Sequence, residues 1–233
     1  IGARAGYNNQ NSNAIAIGRQ SGNNNQSSYS IAMGWYAGND NQNEASVAIG
    51  EEAGRYNQNS EAVALGSWAG YDHQGWKSIA VGSGAGNTYQ GDWSVALGLN
   101  AGNDSQGHSS VALGHTAGRN YQGTDAVAIG VAAGQSSQGT YAVAIGERAG
   151  YGDNTSQGVY AIAIGAHAGY SDQYQNSIIL NASGNDLNSY TEGLFINPVR
   201  YTETQDATYD GLMFYNSDTK EVRYSYALDG GSF

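Results

Sequence analysis

The residues able to do chemistry are few, and their spacing does not suit catalysis. His73, His108, His115 and His167 match no metal-ligand spacing with one another or with a pair of carboxylates. Asp40, Asp72 and Asp104 fall on the same loop position of alternate repeats. Calcium takes six or more oxygens, and each of these loops supplies one carboxylate. Glu51-Glu52 has no opposed acid of the kind glycoside hydrolysis uses. Asn25, Asn103, Asn154 and Asn181 head Asn-x-Ser sequons, as chance alone produces in a chain so rich in Asn and Ser. The reading is therefore a non-enzyme, with no catalytic residue, no metal site and no cofactor. The aromatics are more suggestive. Trp35, Trp68, Trp76 and Trp93, with Tyr36, Tyr71, Tyr89 and Tyr121, stand among Asn and Gln residues in corners and return loops. Rings with a polar neighbourhood can stack on sugars, so the four Trp are the candidate glycan contacts.

What positions these residues is a repeat. A Gly closes each Val-Ala-Ile-Gly-like run at 2, 18, 34, 50, 66, 82, 98, 114, 130 and 146, a step of 16 each time. The next is Gly165, displaced by three inserted residues, Gly152-Asp153-Asn154, and Asn181 takes the place in a decayed last copy. Around each such Gly the grammar is constant. Val or Ile stands three before it, Ala two before, an aliphatic residue or Met one before, and Ser or Ala four before. A second Gly follows four after, and a Gln four beyond that.

Such a unit is too short for a helix pair, and Gly twice per unit disfavours helix. Ser-Val-Ala-Ile-Gly reads as a short strand, with Val and Ile on one face and Ala on the other. The glycines suit corners, and the Asn, Asp, Gln and Ser-rich remainder is turn chemistry. The expected fold is all-β, a parallel β-solenoid of about eleven 16-residue coils over residues 1–182. Stacked at about 4.8 Å, the coils would form a rod on the order of 50 Å long. Gln26, Gln42, Gln58, Gln74, Gln90, Gln106, Gln122 and Gln138 would lie above one another as a structural amide ladder.

Composition excludes several classes. Net charge is −11 with nine Lys and Arg, so no basic surface for nucleic acid can form. There is no Cys, hence no disulfide and no thiolate metal site. No apolar run reaches the roughly 18 residues needed to span a membrane, so direct insertion is not expected. The chain opens in the middle of a repeat, which suggests that residues precede Ile1.

The alanine column suggests a partner. Ala48, Ala64, Ala80, Ala96, Ala112, Ala128 and Ala144 recur on one strand face, where a solvated strand would carry Thr, Lys or Glu. With Val and Ile pointing inward, that stripe would be an exposed apolar patch of a kind monomers rarely tolerate. These alanines are therefore the candidate contacts with sister chains around a common axis.

Ser46-Val47-Ala48-Ile49-Gly50, Ser94-Val95-Ala96-Leu97-Gly98 and Ser110-Val111-Ala112-Leu113-Gly114 resemble the head repeats of YadA-like trimeric autotransporter adhesins. The resemblance implies a left-handed β-roll and a homotrimer. The adhesin coil is commonly shorter, and the 16-residue form is similar to fibre proteins of bacteriophages and large algal viruses. The segments 176–184, 193–200 and 213–224 resemble the endings of such fibres. The implied role is a structural fibre on a virion surface, tail or capsid, with a host-surface glycan or receptor as partner. The alternative is the extracellular head of a bacterial adhesin. Beyond residue 183 the period is lost, and Tyr209–Tyr215 and Glu221–Tyr226 alternate around a turn cluster at 216–220. The expectation there is a β-hairpin that caps the solenoid and registers the trimer.

Overall fold

In a computed structural model the chain is described over residues 1–152, 156–199, 212–215 and 222–225. Among these residues there is no helix, and strands of three residues dominate. Most of them form two parallel sheets, one of twelve strands and one of eight. The larger sheet stacks the Val-Ala-Ile motif in register, Val95 beside Val111, Ala96 beside Ala112 and Leu97 beside Leu113. The smaller stacks the segment that ends in Gln, with Asp104 beside Asn120 and Gln106 beside Gln122. The fold is thus a parallel β-solenoid in which one repeat makes one coil.

Each coil closes because the chain turns sharply at fixed places. Trp68, His73 and Lys77, three positions of a single coil, all have φ between 53° and 62°. A left-handed residue other than Gly costs roughly 1–2 kcal/mol. The cost is offset by backbone bonds to neighbouring coils, such as Trp68 N–H to Glu51 O at 2.9 Å and Lys77 N–H to Ser60 O at 3.1 Å. At the motif Gly even this tolerance ends. Gly98 has φ +133°, and a Cβ there would stand 2.5 Å from the carbonyl oxygen of Gly114. Backbone is stacked on backbone at that corner, so only Gly fits. The Ser four places before the motif Gly locks the opposite turn: Ser94 Oγ donates to Gly91 O at 2.6 Å.

The interior is made of small residues and glutamine. Ala48, Ala64, Ala80, Ala96, Ala112, Ala128 and Ala144 are fully buried within the single chain, facing a second buried column that includes Ala53, Ala69, Ala101 and Ala117. This corrects the expected direction of the strand. Alternation separates Ala from Val and Ile but does not say which side is inside. The coil encloses too little space for two layers of branched side chains, so Ala fills it and the larger residues turn out. The alanines are core, and they are not available to a sister chain.

The coil also continues further than the motif. Ser177–Asn181 pairs in parallel with Gly193–Asn197, still at the 16-residue step. The compact unit accordingly runs from Ile1 to Pro198, past the expected end at residue 182. The motif fades because the interior changes: Ile179 and Phe195 stand in register with Ala163, and Leu187 with Ala168. Ile179 is buried, and Leu187 and Phe195 pack on the alanine core. A second unit, Val199–Phe233, contains Leu212–Tyr215 paired antiparallel with Val222–Ser225. The turn cluster at 216–220 and Arg200 lie outside the described residues.

Candidate functional site

Inside the coils the amide ladder is continuous over long stretches. Gln26 Nε2 donates to Gln42 Oε1, Gln42 to Gln58 and Gln58 to Gln74, at 3.0–3.2 Å. Gln90, Gln106, Gln122 and Gln138 form the next run at 3.1–3.2 Å. Each Nε2 also donates across the core to a strand carbonyl, as from Gln106 to Val95 O at 2.9 Å. Gln90 Oε1 and Gln157 Oε1 have no partner and mark the breaks. Apart from those two oxygens the ladder amides are occupied in structure, and from Gln26 on they are buried.

Outside, the twelve-stranded sheet presents an aliphatic face. The residues flanking each buried Ala point away from the core: Leu65 is 43% exposed, Ile79 40%, Leu97 42% and Ile164 40%. The outward direction holds from Ile15 to Ile196, with an exposed residue in most coils and half-buried ones at Val47–Ile49 and Val127–Ile129. At about 4.8 Å per strand and three residues per strand, the stripe covers on the order of 500 Å². That is near the upper range of apolar patches on ordinary monomers.

The aromatics gather on the corners. Arg55 lies over the rings of Tyr36 at 4.5 Å and Tyr56 at 4.8 Å, and pairs with buried Glu52 at 2.7 Å. Burial alone would lower the Arg55 pKa; the hydrogen bond and charge of Glu52 more than offset it, and the net shift is upward. Tyr71 has its pKa raised, first by burial, while Arg55 opposes the shift. Trp68 stacks on Tyr71 at 4.9 Å, and Trp35 meets Tyr36 edge-on at 5.0 Å. Trp35 and Trp68 thus each pack one side on this cluster and stay 44% and 42% exposed. On another corner Trp76 and Trp93 meet edge-on at 5.4 Å, and Lys77 covers the Trp76 ring at 4.2 Å. Asp92 is engaged there too, by the backbone N–H of Trp76 at 2.7 Å and by His108 at 3.7 Å.

Several of the remaining candidates are paired within the chain. His73 pairs with Asp72 and His167 with Asp186, each at 2.7 Å. Among the described residues no three His or carboxylates gather in a way that would hold a metal. The sequon side chain of Asn103 donates to Gly84 O at 2.8 Å, and that of Asn181 to Ala166 O at 2.8 Å. Asn25 belongs to an exposed amide ladder with Asn9 and Asn41, and Asn154 lies outside the described residues.

One feature escapes the repeat. A groove of about 540 Å³ crosses three successive coils, lined by residues 156, 158–159, 172–175 and 189–190. Its rings are Tyr174 and Tyr190, 49% and 72% exposed. Both occupy the place held by Gly91, Gly107 and Gly123 in the regular coils. That exchange of Gly for Tyr was visible in the sequence, but only after the last copies had been aligned through the insertion. The chain matches no known protein family, no curated protein and no solved structure.

Proposed function

We propose that this chain is a segment of a rigid, self-associating fibre whose chains meet through the aliphatic face of the larger sheet. The observation that carries this is the continuous outward column of exposed and half-buried Val, Ile and Leu beside an alanine core. At about 25 cal/mol per Å², removing a stripe on the order of 500 Å² from water is worth on the order of 10 kcal/mol per chain, before association costs. The parallel register supports it, because one contact repeats in every coil and a straight partner can satisfy all of them. Resemblance supplies the number three and the left-handed coil; closed rotational symmetry suits a stripe that runs along one side of a rod.

The biological reading is a structural and attachment fibre on a virion surface, reaching a host glycan or receptor. It rests on the resemblance of the repeat and of the segments after it. The second reading, the extracellular head of a bacterial trimeric adhesin, is favoured by the Ser-Val-Ala-Ile-Gly motif itself. The neighbouring coding sequence separates the two: a coiled-coil stalk and membrane anchor supports the adhesin, a capsid- or tail-joining module the fibre. No enzymatic role is proposed; release of oligosaccharide from host glycans would overturn that. Sedimentation equilibrium tests the core of the proposal. A trimer is expected, and a stable, folded monomer at micromolar concentration would sink it.

A further inference from the structure

We infer that the groove at the C-terminal end of the solenoid, between Tyr174, Tyr190 and Asp172, binds an uncharged saccharide. The inference rests on the attachment reading and gives it a place and a ligand class. A volume of about 540 Å³ lies within the ~300–1,000 Å³ of small-molecule sites. Two exposed tyrosines one 16-residue step apart on adjacent coils, whose backbones stack at about 4.8 Å, offer flat apolar rings with a polar tip. Beside them the Asp172 carboxylate, the Gln175 amide and the Ser156 hydroxyl line the same groove. None of these three side chains has a hydrogen-bond partner among the described residues. A carboxylate that accepts, an amide that does both and a hydroxyl match the vicinal hydroxyls of a sugar ring, while the rings cover its C–H face. At the corner of Trp76 and Trp93, by contrast, Asp92 is engaged by the backbone N–H of Trp76 and by His108. Among the described residues no Lys or Arg lines the groove, and the chain carries a net charge of −11. Anionic sugars are therefore disfavoured, and neutral ones selected.

The test uses the full chain and a panel of uncharged glucose, galactose and N-acetylglucosamine oligosaccharides, with sialyllactose as the anionic counterpart. Saturation-transfer NMR detects binding and calorimetry measures it. At least one uncharged sugar should bind. Tyr190→Ala should weaken it at least tenfold and Asp172→Asn several-fold, while Tyr190→Phe and Trp93→Ala stay within twofold. Ser156→Trp, which fills the groove from an exposed position, should abolish binding even if Tyr190→Ala fails to fold. The inference is overturned if no uncharged sugar binds, if sialyllactose binds as well or better, or if Ser156→Trp binds normally. Sedimentation of the same sample keeps the two proposals apart. A trimer without sugar binding removes this inference alone, and a sugar-binding monomer removes the self-association alone.

Discussion

Gly102 and Gln106 share one site in the core: a Cβ at Gly102 would stand 2.6 Å from Gln106 Oε1. The glycine is the space into which the amide folds back, which is why the two residues recur four apart through the repeat. Gln106 in turn donates to Gln122 Oε1 at 3.1 Å and accepts from Gln90 at 3.2 Å. Gln106→Ala should lower stability by about 2–4 kcal/mol, since it opens a cavity and strands buried amide groups on both sides. Gly102→Ala should cost at least as much, because φ is +49° and the new methyl meets the amide. Urea unfolding followed by circular dichroism checks both; an unchanged midpoint for either would remove the ladder from the account of stability.

The reversal of the strand gives a paired prediction. Ala96 is fully buried and its neighbour Leu97 is exposed. Ala96→Leu should unfold or severely destabilise the rod, as overpacking costs of ~1–3 kcal/mol or more are expected where no space exists. Leu97→Lys should leave the fold intact and weaken self-association, by placing a charge in the apolar stripe. Sedimentation and thermal melting read the two effects separately. If Leu97→Lys melts the chain and Ala96→Leu does not, the assignment of inside and outside is wrong.

The cluster around Arg55 predicts an alkaline signature. Tyr71 is held above the usual tyrosine range, chiefly by burial, so its neutral form is favoured in the fold. The sign follows: its contribution to stability is intact below the unfolded pKa near 10 and is lost as pH rises through the higher folded value. Ultraviolet titration of tyrosinate should show a late component that Tyr71→Phe removes. A Tyr71→Phe profile identical to the parent would refute the shift.

How far the sequence reveals this molecule follows from what each residue answers to. The 16-residue step is legible because backbone stacking favours Gly at one corner of each regular coil, as at Gly98 over Gly114. The sidedness of the strand is not, because alternation is symmetric and hydrophobicity favours the larger residue inside. Volume decides, and it appears only once the coil is closed. The last coil is missed for the same reason: Ile179 and Phe195 obey the register while breaking the motif. The groove lies where the repeat is least regular, so periodicity carries no signal for it.

Ile179, Leu187 and Phe195 predict how the described solenoid is closed. Alanine leaves the core thin, and a coil without a neighbour would expose it to water. At this end the chain replaces Ala with progressively larger residues, so the final coils cover the column with their own side chains. Terminal repeats of stacked proteins need such covering, since each unit is otherwise stabilised by two neighbours. Phe195→Ala should therefore cost about 2–4 kcal/mol, and Ile179→Ala, fully buried, a similar amount. The loss should be local. Hydrogen exchange should speed up first in Ser177–Asn181 and Gly193–Asn197, while Val95–Leu97 and Val111–Leu113 keep their protection. Uniform acceleration along all twelve strands would mean that the rod unfolds as one block and that these side chains are not its end seal.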